Sequence, residues 1–150
     1  MSLQIRKVEV RDLEQLVDLC EAHAIYEGAS YERAGKKEAL EQAFFTSPPL
    51  LNGLVLADEK RLYGYTTFAR QYSTWDAFHY LYMDCLFLSE EIRGQGWGQK
   101  LMEEVKRAAK ERNCSLIQWQ TPVSNAGAIR FYDRIGAKSL DKKRFFWELF

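Results

Sequence analysis

LSEEIRGQGWGQKLM, residues 88–102, places glycines at 94, 96 and 98, directly ahead of an amphipathic run. Glycine loses about 1 kcal/mol against alanine inside a helix, so three of them beside a helix start call for a reason. Glycine permits positive φ and lets the backbone approach a ligand closely. The first turn of a helix adds unpaired N–H groups and a partial positive charge. Together these make a phosphate site. Two phosphate devices fail on spacing: the dinucleotide fingerprint would need glycine where Gln99 stands, and Gly98-Gln99-Lys100 does not supply the Gly-Lys-Ser/Thr of a P-loop. A turn that merely joined strand to helix would need only one or two glycines.

The flanks of this stretch fix its context. FHYLYMDCLFL (78–88) is the most apolar strand candidate, and downstream Leu101, Met102, Val105, Ala108 and Ala109 predict a helix over 96–112. Further out, residues 3–8 read as a strand, and Leu13, Leu16, Val17, Cys20 and Ala24 mark one face of a helix that Gly28 stops. A loop (26–35), a short helix (36–45), two β-like segments (50–59 and 62–72, turning at Lys60 and Arg61), a short strand (115–120), a helix (124–134) and a closing strand (142–150) complete the order β-α-α-β-β-β-α-β-α-β. Early hairpins followed by strand–helix–strand crossovers imply an α/β (α+β) domain whose central, mixed, mostly antiparallel sheet is flanked by helices. At 150 residues, with no repeats and no linker composition, one domain over 1–150 is expected.

Bulk composition narrows the partners. Twenty-one basic residues balance twenty-one acidic ones, which argues against nucleic acid as a partner. No apolar run reaches the roughly 18 residues of a membrane span, and no signal peptide is evident, so a cytoplasmic protein without a membrane partner is expected. Cys20, Cys85 and Cys114 show no metal-ligand spacing and read as small buried hydrophobes in a reducing compartment.

The pattern that remains, Arg93-x-x-Gly96-x-Gly98, resembles the pyrophosphate loop of the GNAT superfamily of N-acetyltransferases. A second signature of that family, Asn125-x-x-Ala128-Ile129-x-Phe131-Tyr132 followed by Ile135-Gly136-Ala137, lies about 30 residues downstream with a helix and strand between. The resemblance covers nearly the whole chain and implies acetyl-CoA as cofactor. It implies that the backbone of Arg93, Gly94, Gln95, Gly96, Trp97, Gly98 and Gln99 holds the pyrophosphate, with Arg93 neutralising charge or fixing the loop. It further implies that Leu86, Phe87 and Leu88 pair their main chain with the pantetheine arm, and that Asn125 and Ala128 line the channel. A homodimer is expected from family habit.

Acetyl transfer to an amine requires a neutral nucleophile, a polarised thioester carbonyl and a proton for the departing thiolate. Tyr132 occupies the motif position of the general acid, and a phenol with pKa near 10 suits that task. A backbone N–H near Leu86 is the expected polariser. Asp84 is the sole charge within YLYMDCLFL, and a buried unpaired carboxylate is expensive. It stands nine residues before Arg93, where the spermidine/spermine acetyltransferases of this family carry a glutamate that handles the acceptor amine. Asp84 therefore reads either as base or anchor for the amine, or as a structural aspartate bonded to backbone at a strand bulge. Tyr26, Glu27, Tyr31 and Glu32 would suit a cationic amine, and residues 72–76 would close the other rim of the cleft. His23 and His79 read as packing or surface residues, and Trp119 and Trp147 as core aromatics. The expected activity is acetyl transfer from acetyl-CoA to a small primary amine, a polyamine or lysine-like amine being favoured. The alternatives are a protein amine, an aminoglycoside, or a non-catalytic acyl-CoA-binding module.

Overall fold

The computed structural model describes residues 2–150, which divide into two compact units, 2–120 and 121–150. The first holds one five-stranded sheet in the order β1 (Gln4–Lys7), β2 (Asn52–Ala57), β3 (Leu62–Ser73), β4 (Phe78–Leu88) and β5 (Ile117–Gln118). The first four strands run antiparallel to their neighbours, while β5 runs parallel to β4 and touches it only through Leu81 and Tyr82. The sheet is thus mixed and mostly antiparallel, as the sequence predicts.

Alternation along the strands assigns the two faces. Val55, Ala57, Tyr65 and Phe87 meet Leu13, Leu16 and Leu19 of α1 (Leu13–Tyr26) and Phe44 of α2 (Lys36–Phe45) in one buried cluster. Leu56 and Tyr63 pack on the opposite side with Ile92, Leu88 and Trp97, the first residue of α3 (Trp97–Glu111). The buried stripe Leu101, Met102, Val105, Ala108 and Ala109 of α3 is the one its periodicity marks. At its far end Arg112 lies 5.5 Å over the Phe68 ring and donates to Asn52 Oδ1. At the other edge Arg6 makes two hydrogen bonds, at 2.7 and 2.9 Å, to the buried Asp12 carboxylate, which also accepts the Glu9 N–H. This clamp joins β1 to the start of α1.

The second unit contains α4 (Ala126–Arg134), capped by the Asn125 side chain, and a segment from 138 to 150 with no regular element. The closing strand expected over 142–150 is absent here. Phe145, Phe146, Trp147, Leu149 and Phe150 are all exposed, Trp147 at 92%, so Trp147 is not a core residue. Their loose alternation is a strand-like pattern that needs a neighbouring strand edge to become one. The strand expected over 115–120 shrinks to two residues, and Trp119 within that stretch is half-buried. No helix among the described residues is long and apolar enough to cross a membrane.

Candidate acetyl-transfer site

Between β4 and α3 the chain makes a short 3-10 turn (Glu90–Ile92) and then the glycine loop. Gly94 and Gly96 adopt φ of +76° and +86°, and a Cβ built on either would meet nothing within 4 Å. Both features favour glycine: the left-handed conformation disfavours an L side chain, and the space beside the backbone stays open. Gly96 is the N-cap of α3 and contributes no side-chain cap, so the amides of Trp97, Gly98 and Gln99 precede the first helical bond, Lys100 N–H to Gly96 O. The loop is fastened from both faces of the sheet. Arg93 Nε donates to Leu88 O at 2.8 Å, and its guanidinium covers the rings of Tyr26 (4.7 Å) and Phe87 (5.4 Å). Trp97 packs against Leu56, Tyr63 and Ile92 on the other side, and Gln95 Nε2 donates to Glu91 O. Arg93 is therefore a strut of the loop, and the groups aimed outward are main-chain amides.

The edge of β4 supplies a second set of backbone groups. Ser89 N–H donates to Tyr63 O at 2.8 Å, and Phe87 pairs in register with Tyr65. Hydrogen bonding alternates along an antiparallel pair, so Phe87 commits its backbone to β3 while Leu86 and Leu88 turn theirs outward. β5 reaches only as far as Tyr82, so among the described residues this outer edge has no strand partner at Leu86 and Leu88. The expectation of three backbone partners for pantetheine narrows to Leu86 and the Leu88 N–H, because Arg93 occupies the Leu88 carbonyl and Phe87 faces the other way.

Asp84 sits in a bulge: Cys85 opposes Thr67 and Met83 opposes Phe68, leaving Asp84 without a partner in register. Bulges re-aim side chains next to active sites. This one leaves Asp84 exposed and beside Cys85, whose thiol donates to Asp84 Oδ2 at 3.7 Å. The bulge expected under the structural reading of Asp84 exists, but the carboxylate meets a thiol and solvent there.

Facing Asp84 is the last part of α1, which presents Cys20, His23 and Glu27 on one face at spacings of three and four. His23 stacks on Phe87 at 4.9 Å, its Nε2 lies 2.7 Å from Glu27 Oε2, and its Nδ1 lies 2.7 Å from the Tyr65 hydroxyl. The thiols of Cys20 and Cys85 lie near the Tyr65 hydroxyl and act on its titration. Burial lowers the His23 pKa against the opposing pull of Glu27 and Asp84, with Arg93 lowering it further. The ring is therefore neutral at pH 7, and because an ionised carboxylate only accepts, Nε2 carries the proton and the Tyr65 O–H donates to Nδ1. Burial, followed by the Asp84 charge, pushes the Cys85 thiol up to about 12. Burial also raises Cys20 and Tyr65. Two polar links, Asp84–Cys85 and Tyr65–His23–Glu27, thus lie along the floor of the site. His23 belongs to this site and is no mere packing residue; the i,i+4 spacing of His23 and Glu27 on a helix was the readable signal.

Of the other expected acceptor residues, Tyr26 is held beneath Arg93, and the Tyr31 ring lies beneath the Lys36 ammonium at 5.4 Å. Arg33 ties their loop to Asp18 and Glu21. Glu32 is exposed and accepts the Ala34 N–H of its own loop, so it is not brought to the cluster. Of residues 72–76, Tyr72 and Ser73 end β3 and 74–76 lie in the turn of the β3–β4 hairpin, about 20 Å from Asp84 at 3.4 Å per residue from Phe78, too far to close a rim. His79 packs there edge-on to Tyr72, in keeping with a surface role.

In the second unit, Asn125 Oδ1 accepts the Ala128 N–H at 3.2 Å and so caps α4, with Nδ2 as its donor group. Tyr132 lies in the last turn of α4, its ring 5.3 Å from that of Phe131, and its carbonyl accepts the Ala137 N–H.

The sequence and the fold both have counterparts among known proteins. The chain is 27% identical over 146 residues to a thialysine N-epsilon-acetyltransferase of Bos taurus, covering 92% of this chain and 85% of that protein. It is 29% identical over 91 residues to the L-ornithine N5-acetyltransferase NATA1 of Arabidopsis thaliana, covering 61% and 37%. Its fold superimposes with a TM-score of 0.79 at 17% identity on an aminoglycoside acetyltransferase from an uncultured soil metagenomic sample, solved with sisomicin, covering 99% and 96% of the two chains. The acetyltransferase (GNAT) family model matches residues 15–137, and the chain belongs to that family of acetyl-transferring enzymes.

Proposed function

We propose that the enzyme transfers acetyl from acetyl-CoA to a small cationic amine of lysine-like or polyamine type, by direct attack within a ternary complex. The observation that carries this reading is the placement of two carboxylates, Asp84 and Glu27, and the Tyr26 face on the side of β4 where Arg93 anchors the glycine loop. Acetyl-CoA supplies an activated acetyl thioester. The open space at Gly94 and Gly96, the uncapped α3 amides and the outward main chain of Leu86 and Leu88 fit its diphosphate and its peptide-like arm.

An alkylamine with pKa near 10.4 must lose a proton, which costs roughly 4.6 kcal/mol at pH 7. Asp84 accepts that proton through water, being one methylene shorter than the glutamate of the polyamine-acetylating relatives, while Glu27 and the Tyr26 ring anchor the charged end of the acceptor. The Leu86 N–H polarises the carbonyl oxygen, and Tyr132 protonates the departing thiolate. Cys20 and Cys85 are unsuited to carry the acetyl group themselves: a nucleophilic cysteine must be a thiolate, and both are held as thiols. That the relatives in cattle and Arabidopsis are named for thialysine and ornithine supports a cationic acceptor. A cytoplasmic homodimer completes the reading, its dimeric part supported by the exposed aromatic side chains of 145–150.

Thiol release from acetyl-CoA across a panel of amino acids, diamines, aminoglycosides and N-terminal peptides, with mass detection of product, tests the reading. Turnover concentrated on lysine-like amines or diamines supports it. Tight acetyl-CoA binding with no turnover on the panel, or preference for a neutral amine, refutes it.

A further inference from the structure

We propose that His23 is a positioning residue of this site: its imidazole holds the Glu27 carboxylate for the amine, and on gaining a proton at acid pH it withdraws that carboxylate from the amine. The inference rests on the acceptor reading given above and names how one of its anchors is kept in place.

The geometry leaves His23 one arrangement. Its side chain is 15% exposed, and both ring nitrogens are engaged at 2.7 Å, one by Glu27 and one by Tyr65. Phe87 covers one ring face at 4.9 Å, while Tyr65 meets the ring edge-on, at 5.8 Å and 69°. The ring therefore can neither flip nor slide without breaking a hydrogen bond in a poorly hydrated place. Glu27 is the C-cap of α1, followed at once by Gly28 at φ +76°. Backbone hydrogen bonds from Glu27, Gly28 and Ala29 close the helix end, and the imidazole removes the remaining freedom of the Glu27 side chain, which lowers the ordering cost of binding an amine.

The charged and titratable groups that act on the ring are Glu27 from its own helix, Tyr65 from β3, Asp84 from β4 and Arg93 from the glycine loop. At neutral pH the ring is uncharged, and Glu27 and Asp84 both remain to attract an ammonium group. When His23 takes up a proton it becomes an imidazolium fixed against Glu27, cancelling one of the two negative charges. Burial holds that event below the usual histidine range near 6.5, so the loss falls on the acid side of neutrality.

Steady-state kinetics with the best amine from the panel, together with ¹⁵N NMR of the imidazole, provide the test. His23→Leu is expected to raise the KM for the amine at least fivefold while the KM for acetyl-CoA and kcat stay within twofold, and to remove from the acid-side rise in amine KM the part that follows the imidazole titration. His23→Gln, which keeps an N–H for Glu27, is expected to recover most of the amine KM but not the pH dependence. In the parent protein the ring is expected as the Nε2–H tautomer, and Glu27→Gln is expected to move its titration to lower pH. An unmoved amine KM in His23→Leu, or an Nδ1–H tautomer in the parent, overturns the proposal. An active parent with an unchanged variant refutes the role of His23 alone, whereas a parent inactive on every amine refutes the acceptor reading and this inference with it. The tautomer needs no substrate, so it decides the case even where His23→Leu fails to fold.

Discussion

Two glycines in this chain occupy the same structural position at different helices, and replacing each with alanine separates strain from ligand binding. Gly96 caps α3 at φ +86° and Gly35 caps α2 at φ +78°; a Cβ on either meets nothing within 4 Å. Neither alanine meets a clash, so the cost of each is the left-handed backbone alone, about 1–2 kcal/mol. For a chain of this size that corresponds to a fall in Tm of about 2–8 °C, and the two variants should fall together. Acetyl-CoA should distinguish them. At Gly96 the new methyl enters the space beside the α3 amides, and relaxation of φ turns those amides away from a bound diphosphate. Calorimetric titration is expected to show acetyl-CoA affinity reduced at least tenfold in Gly96→Ala, about 1.4 kcal/mol, and within twofold of the parent in Gly35→Ala. Equal affinities in the two variants would refute the assignment of the loop, whatever happened to stability.

Three further outcomes are expected. Tyr132→Phe should lower kcat at least tenfold with little change in acetyl-CoA affinity; an unchanged kcat removes the phenol as the acid. Asp84→Asn should lower kcat/KM for the amine at least tenfold and also bring the Cys85 thiol down from about 12, because the neighbouring charge is gone; thiol alkylation against pH reads the second effect. Asp12→Ala leaves Arg6 only the longer Glu9 contact at 3.7 Å and the Lys7 carbonyl, strips the Glu9 N–H of its acceptor, and should cost about 3 kcal/mol in denaturant unfolding. Burial opposes ionisation of Asp12, but the hydrogen bonds from Arg6 and the Glu9 N–H outweigh it and hold its pKa below the usual carboxylate value. The stability this group confers is therefore complete above that usual value and lost as pH falls through the lowered one. An acid unfolding curve that is the same in parent and Asp12→Ala would contradict this.

The readable parts of the sequence were those where local and tertiary demands agree. α2 begins and ends where its pattern predicts, and the stripe of α3 is the buried one, because amphipathic period and burial are a single requirement there. The glycine loop was legible because backbone conformation restricts residue type directly. The end of the chain was not. Residues 142–150 alternate as a strand would, yet a strand exists only when a neighbour supplies hydrogen bonds, and alternation cannot name the neighbour. Asp84 lay between two readings because a bulge is a property of a pair of strands, invisible in either alone. His23 was missed for a related reason. Its contact with Glu27 is local and was there to be read, but Tyr65 and Phe87 lie 42 and more residues away and arrive only with the sheet. Arg93 shows the converse, a residue marked by its motif whose side chain works on its own protein, at Leu88 O and the Tyr26 ring.

In the proposed enzyme the main-chain amides at the start of α3 grip the diphosphate of acetyl-CoA. Titrating ¹⁵N-labelled protein with acetyl-CoA addresses those amides one by one. The account predicts that the largest, saturable shifts fall on Gly94, Gly96, Trp97, Gly98 and Gln99. Saturable binding that leaves these five amides unmoved would contradict it.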